Sequence, residues 1–355
     1  MQRFTPRIRI RGLRLFVLAL LVLALSAGCG SDGGATTKPE SIGAGLTAPS
    51  GTSAAKISSG AANISALAED SDGAIWFATA AYIDSGDDAM YRVADDGSAT
   101  RVATGLHTPM GLLWLDDALY VSSADGITVF SGFDGTSFAN QANLVKFPGS
   151  GVLGALVQGP DGRLRVGISA SCDHCDPDSE WAAAVVSFLP DGSDVRVEAS
   201  GIRAPVGLAY VPGTSDLLAS MNQRDDLGDA TPGDWLAVIY DGDDWGFPDC
   251  YGQGGAQCDG VPEPVAELDD HAAVSDLAVL RDSSNEAWAY VAEWSTGKIL
   301  RIHLHPDGKG GYTGSPEDFV RGIQAPVAVL ASSDGTLLIG DWNTGAIYRV
   351  TPPAA

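Results

Sequence analysis

The sequence predicts an all-β chain folded as one six-bladed β-propeller, and three observations carry that expectation. From residue 60 onward a phrase recurs: Gly-x-x-x-Pro, a short apolar run, an Asp-Gly turn, then alternating strands ending in Arg-Val or a similar pair. Repetition at this scale marks sheet units that stack or pack radially. Glycine and proline number 44 and 19 among 355 residues, a density of turns that suits many short strands. No segment sustains the apolar spacing of a helix.

Before the repeats comes a leader. Met1 to Arg14 is basic, Leu15 to Leu25 is apolar, Ser26, Ala27 and Gly28 are small, and Cys29 follows. That apolar run is short for a bilayer span and has the layout of an export signal. The segment resembles the lipobox of bacterial lipoproteins. The resemblance implies a signal peptide over residues 1–28, acylation of Cys29, and a chain held to a membrane of the cell envelope on its periplasmic or extracellular face. A plain secretory signal with an incidental cysteine is the other reading. Residues 29–55, rich in Gly, Ser, Thr and Ala, are expected to be a flexible tether, and residues 56–351 the propeller. The net charge of −24 becomes more negative when the leader removes Arg3, Arg7, Arg9, Arg11 and Arg14 and no acid. A polyphosphate would be repelled, which excludes nucleic acid as a partner.

Six copies of the phrase follow in order. The first runs through Asp72-Gly-Ala-Ile-Trp-Phe77 to Tyr91-Arg-Val93, and the second opens at Gly105-Leu-His-Thr-Pro-Met-Gly-Leu-Leu113. The third contains Gly159-Pro-Asp-Gly-Arg-Leu-Arg-Val166, and the fourth opens at Gly201-Ile-Arg-Ala-Pro-Val-Gly-Leu-Ala-Tyr210. Ser275 to Ile302 holds the fifth, and Gly322-Ile-Gln-Ala-Pro-Val-Ala-Val329 opens the last. Asp-Gly supplies the positive φ of a tight hairpin. One such unit cannot bury both of its faces, whereas a closed ring covers every face and leaves no long edge. A pair of β-sandwiches is the alternative, and the repeated phrase disfavours it.

After the fourth opening comes Met221-Asn-Gln-Arg-Asp-Asp-Leu-Gly-Asp229, too charged for a core and longer than a plain connection. Binding chemistry on a rigid scaffold sits in such loops. Trp235 and Trp245 flank further acids and are candidates to stack on a ring-shaped ligand. There is no Gly-rich phosphate loop, no Gly-x-Ser-x-Gly elbow and no His-Glu-x-x-His.

Five phrases in sequence resemble the glucose/sorbosone dehydrogenase family: Gly159-Pro-Asp-Gly to Cys175, Leu189-Pro-Asp-Gly192, Gly201 to Leu208, Arg224 to Asp229, and Trp245-Gly-Phe-Pro-Asp-Cys-Tyr-Gly252. The resemblance implies a six-bladed propeller that uses pyrroloquinoline quinone (PQQ) with calcium to oxidise an aldose or related alcohol. By resemblance Arg203 faces the quinone, Asn222, Arg224 and Asp225 lie against the cofactor, and Asp226 and Asp229 serve calcium. The family's catalytic histidine falls on Gly151, and the arginine near it on Gly154. Its Pro-His-Gly is Pro109-Met110-Gly111, its Ala-Glu-His is Ala292-Glu293-Trp294, and the asparagine after Arg203 is Ala204. A glycine accepts no proton. His271, in Asp269-Asp-His-Ala-Ala273, is then the candidate substitute base, ahead of His107. Two functions stay open: an envelope-anchored sugar dehydrogenase, and a non-catalytic propeller that binds a ligand or protein there.

Beyond Cys29 there are Cys172, Cys175, Cys250 and Cys258. An even set in an exported domain reads as disulfides, with Cys172–Cys175 and Cys250–Cys258 favoured because each pair sits in one loop. A four-thiolate zinc site is the rival, and a redox-active Cys-Asp-His-Cys a third reading.

Overall fold

A computed structural model describes residues 38–354 apart from 125 and 252–255. The expected signal peptide, Cys29 and the first part of the expected tether lie outside these residues. Six blades form the molecule, antiparallel except where Asp243–Asp244 adds in parallel to Arg196–Ser200 at the edge of the third. Their inner strands are Ile64–Glu69, Gly111–Leu115, Leu153–Gln158, Pro205–Tyr210, Val274–Arg281 and Pro326–Ala331. Each packs beside the next, and the last returns to the first, so the ring closes around an axial channel.

The repeated phrase has a direct structural reading. Pro205 and Pro326 are the first residues of their inner strands, where a missing N–H costs the ladder nothing. Asp96, Asp134, Asp161, Asp191 and Asp334 each accept the backbone N–H two residues on. Such Asx turns place the chain for a hairpin, and Gly162 and Gly192 supply φ of 79° and 82°. Part of the acidity therefore belongs to turns.

The core is six apolar layers, one between each pair of neighbouring blades. Middle strands such as Ile75–Thr79, Ala118–Ser123 and Leu337–Asp341 are buried at every position because both of their faces meet another blade.

Ring closure corrects one expectation. The tether was expected to run to residue 55, but Ser53–Ser58 pairs antiparallel with Ile347–Thr351 as the outer strand of the sixth blade. Ahead of it, Glu40–Gly43 and Leu46–Ala48 form a hairpin that joins the fifth blade where Thr47 faces Arg321. Leu46 and Ala48 are each only 1% exposed, packed in the layer between the fifth and sixth blades. An outermost strand needs a single apolar face, so small residues sufficed and the composition looked like a linker.

Candidate functional site

One mouth of the channel opens into a crater of about 1150 Å³, counting its open side. Loops leading into the inner strands build its wall, together with hairpin loops at the same end. Trp294 and Trp342 meet edge to face with ring centroids 6.0 Å apart. Trp342 is fixed from behind, its indole N–H donating to Ala80 O at 2.8 Å. Tyr82, Met110, Val152 and Val327 continue this lining, while Asn222, Asp225 and Ser275 supply polar atoms. A side hollow shares Met110, Val152, Val206 and Asn222 with the crater and adds Gly151, Cys172 and Arg203.

Three of the residues named from sequence meet here. Arg203 lines the hollow, Asp225 the crater, and Asn222 both. Arg203 is already engaged: Nε donates to Asp173 O at 3.0 Å, Nη2 to Asp173 Oδ1 at 2.6 Å and Nη1 to Asn222 O at 3.0 Å. Arg224 points away from the crater. It is buried, bonds Asp226 through two hydrogen bonds of 2.5 and 2.6 Å, and lies 4.4 Å over the Tyr251 ring. The Arg224 pairing holds the Asp226 carboxyl below the usual carboxylate range. Asp229 stands exposed on the short turn Gly228–Ala230. Of the expected calcium pair, Asp226 is thus engaged by Arg224 and Asp229 is exposed. Among the described residues no group of three or more His, Cys, Asp or Glu is placed to hold a metal ion.

His271 is not arranged as a base. Nδ1 lies 2.8 Å from Asp225 Oδ1 and Nε2 2.9 Å from Gly228 O. Both partners carry acceptor oxygens, so the two contacts are made together when both ring nitrogens carry a proton. The Asp225 bond first, and the Gly228 carbonyl second, raise its pKa. A proton acceptor needs a free ring nitrogen, and this ring instead straps the fifth-blade loop to the acidic loop of the fourth.

The position of the missing histidine is closed as well as empty. A Cβ on Gly151 would lie 2.2 Å from Ala170 O, and one on Gly154 2.3 Å from Val206 O. Neighbouring backbone fills both places.

The cysteines pair as favoured, with Cα separations of 6.1 Å for Cys172–Cys175 and 5.0 Å for Cys250–Cys258. No thiolate is left among them for zinc. Trp235 and Trp245 stack on each other with centroids 4.4 Å apart between the third and fourth blades, away from the crater, and line a separate small hollow with Arg203, Gln223 and Tyr251. Sequence reasoning passed over Asp234, which is 1% exposed and accepts the backbone N–H of Gln223 at 2.7 Å and of Val274 at 2.9 Å. Burial pushes its carboxyl up to about 6. Asp88 and Asp341 bond blade-entry amides in the same way, a recurrence that was visible as an acid beside the second or third strand.

The fold and crater define a six-bladed propeller with an open cavity at one mouth of its channel. A family model for the two-component regulator propeller matches residues 58–81. No curated protein matches the sequence. Solved structures with the same architecture include the holo form of a pyranose dehydrogenase PQQ domain from Coprinopsis cinerea, at 14% identity and TM-score 0.70, over 86% of this chain and 97% of that one. The PQQ-bound aldose sugar dehydrogenase of Streptomyces coelicolor aligns at 20% identity and TM-score 0.69, over 86% and 99%. The calcium structure of a Trichoderma reesei carbohydrate-active enzyme aligns at 16% identity and TM-score 0.71, over 86% and 97%. The fold is that of the sugar-dehydrogenase propellers.

Proposed function

We propose that this chain is a sugar-dehydrogenase-like propeller, anchored to the cell envelope through Cys29, whose crater binds a small neutral sugar or related alcohol without oxidising it. The Trp294–Trp342 corner carries the reading. Aromatic faces suit the C–H faces of a sugar ring, and the adjacent Asn222, Asp225 and Ser275 suit its hydroxyls. Neither candidate position offers a ready base, because Gly151 has no room for a side chain and both ring nitrogens of His271 are engaged, with Asp225 Oδ1 and Gly228 O.

Oxidation with PQQ and calcium is the second reading. The place that the family resemblance gives Arg203 and the PQQ-containing structures of similar fold favour it. The residues present fit the cofactor poorly. PQQ carries three carboxylates, while the charged residues lining crater and hollow are Arg203, held by the Asp173 carboxylate, and the acidic Asp225. No surplus cation meets the cofactor among the described residues lining the site. No carboxylate cluster waits for calcium among the described residues either.

Titration of tryptophan fluorescence with aldoses and sugar alcohols, with and without PQQ and Ca²⁺, separates the readings. Saturable binding of one of them without the cofactor is expected, abolished by Trp294→Ala, with no dye reduction when PQQ and Ca²⁺ are added. Robust dye-linked oxidation would establish the dehydrogenase instead, and absence of any sugar or polyol response would defeat both.

A further inference from the structure

The disulfide Cys172–Cys175 encloses one acidic residue, and that residue organises the crater wall. Asp173 Oδ1 accepts from Arg203 Nη2 at 2.6 Å and from the Asp225 N–H at 3.0 Å, and Oδ2 accepts from the Asp226 N–H at 2.8 Å. Its main-chain carbonyl takes Arg203 Nε at 3.0 Å. One residue of a third-blade loop therefore fixes a guanidinium and the start of the acidic loop, both in the fourth blade. Through Arg203 Nη1 it also reaches Asn222, which lines crater and hollow alike. The segment around it, from Ala170 to Asp178, contains no strand or helix, so the cross-link is its strongest local restraint. Both cysteines are only half-buried, and Cys172 lines the hollow.

We propose that Cys172–Cys175 is a thiol-sensitive clamp and that Asp173 is the positioning residue it holds. Reduction by a dithiol breaks the S–S bond. Cys172 and Cys175 together take up two electrons and two protons, and the dithiol leaves as its own disulfide. The opened loop regains conformational freedom, and holding Asp173 against three donors then costs that entropy. Asp173 withdraws, Arg203 loses its carboxylate partner, and the loop from Arg224 to Asp229 loosens. The consequence for ligand affinity rests on the crater being the binding site, but the clamp itself is tested without any ligand.

Hydrogen exchange on the full chain, oxidised or reduced with dithiothreitol, provides that test, with free thiols counted by mass spectrometry. Amides of Asp225 and Asp226 are expected to lose about tenfold in protection on reduction, while those of Trp235–Ile239 do not change. The paired variant Cys172→Ser, Cys175→Ser should show the same loosening without reductant and no further response to it. Asp173→Asn, with its disulfide intact, should loosen the same amides and leave blade protection untouched. Phenylglyoxal should modify Arg203 faster in all three loosened forms. Unchanged protection in protein whose Cys172 and Cys175 are shown to be thiols would overturn the clamp. So would loosening that appears in the paired variant only after reductant, since Cys250–Cys258 would then be its source.

Discussion

At the scale of single residues, the crater is defined by what its polar groups already do. Arg203, Asn222 and Asp225 were legible because the order of phrases around them is distinctive. Arg224, Asp226 and Asp229 were legible as a charged loop, but the direction of each side chain was not. Sequence spacing does not say that Arg224 folds back onto Asp226 and Tyr251. Nor does it show that His271 meets two acceptors. That second fact sets a pH dependence. The folded pKa of His271 lies above its ordinary value of 6.5, so its strap contributes fully below that pH and is lost as pH rises through the folded value. Comparing urea unfolding of the wild type and His271→Ala should show a difference at pH 6 that shrinks at pH 9. A difference that grows with pH would contradict the raised pKa of His271.

Among elements, inner and middle strands were readable because they bury both faces and carry the Gly-x-x-x-Pro and Asp-Gly punctuation. The outer strand Ser53–Ser58 was not. Its partner supplies the ladder, half of its side chains are exposed, and only Ser58 is fully buried. The hairpin before it buries Leu46, and a fully buried leucine is worth about 1.5–3 kcal/mol. A chain lacking residues 38–58 would bare the edge of Ile347–Thr351 and open the layer between the fifth and sixth blades. Such a chain is expected to lose its cooperative thermal transition and to aggregate, as followed by circular dichroism and light scattering. A transition within a few degrees of that of the intact propeller would show that the six sheets close without it.

For the whole molecule, six similar layers share the stabilisation, so ring geometry and not any single blade places the crater. Ring symmetry was therefore the most legible feature, while the aromatic corner was hidden because Trp294 and Trp342 belong to different blades and meet only when the fifth and sixth pack together. Acidity follows the same logic. Hairpin aspartates repeated around the ring contribute to the charge of −24, and a chain so acidic gains nothing from an anionic membrane surface, which leaves attachment to the acyl chains expected at Cys29. Replacing Cys29 by Ser should move the protein from the membrane fraction to the soluble one and abolish palmitate labelling. Retention of both would remove the lipid anchor from the proposal.

The pairing of Ser53–Ser58 with Ile347–Thr351 also imposes a timetable. A polypeptide emerging amino end first, from a ribosome or a translocation pore, carries this early strand with nothing to receive it until almost the whole sequence has followed. The oldest segment must wait for the youngest, and only then can the circle be fastened.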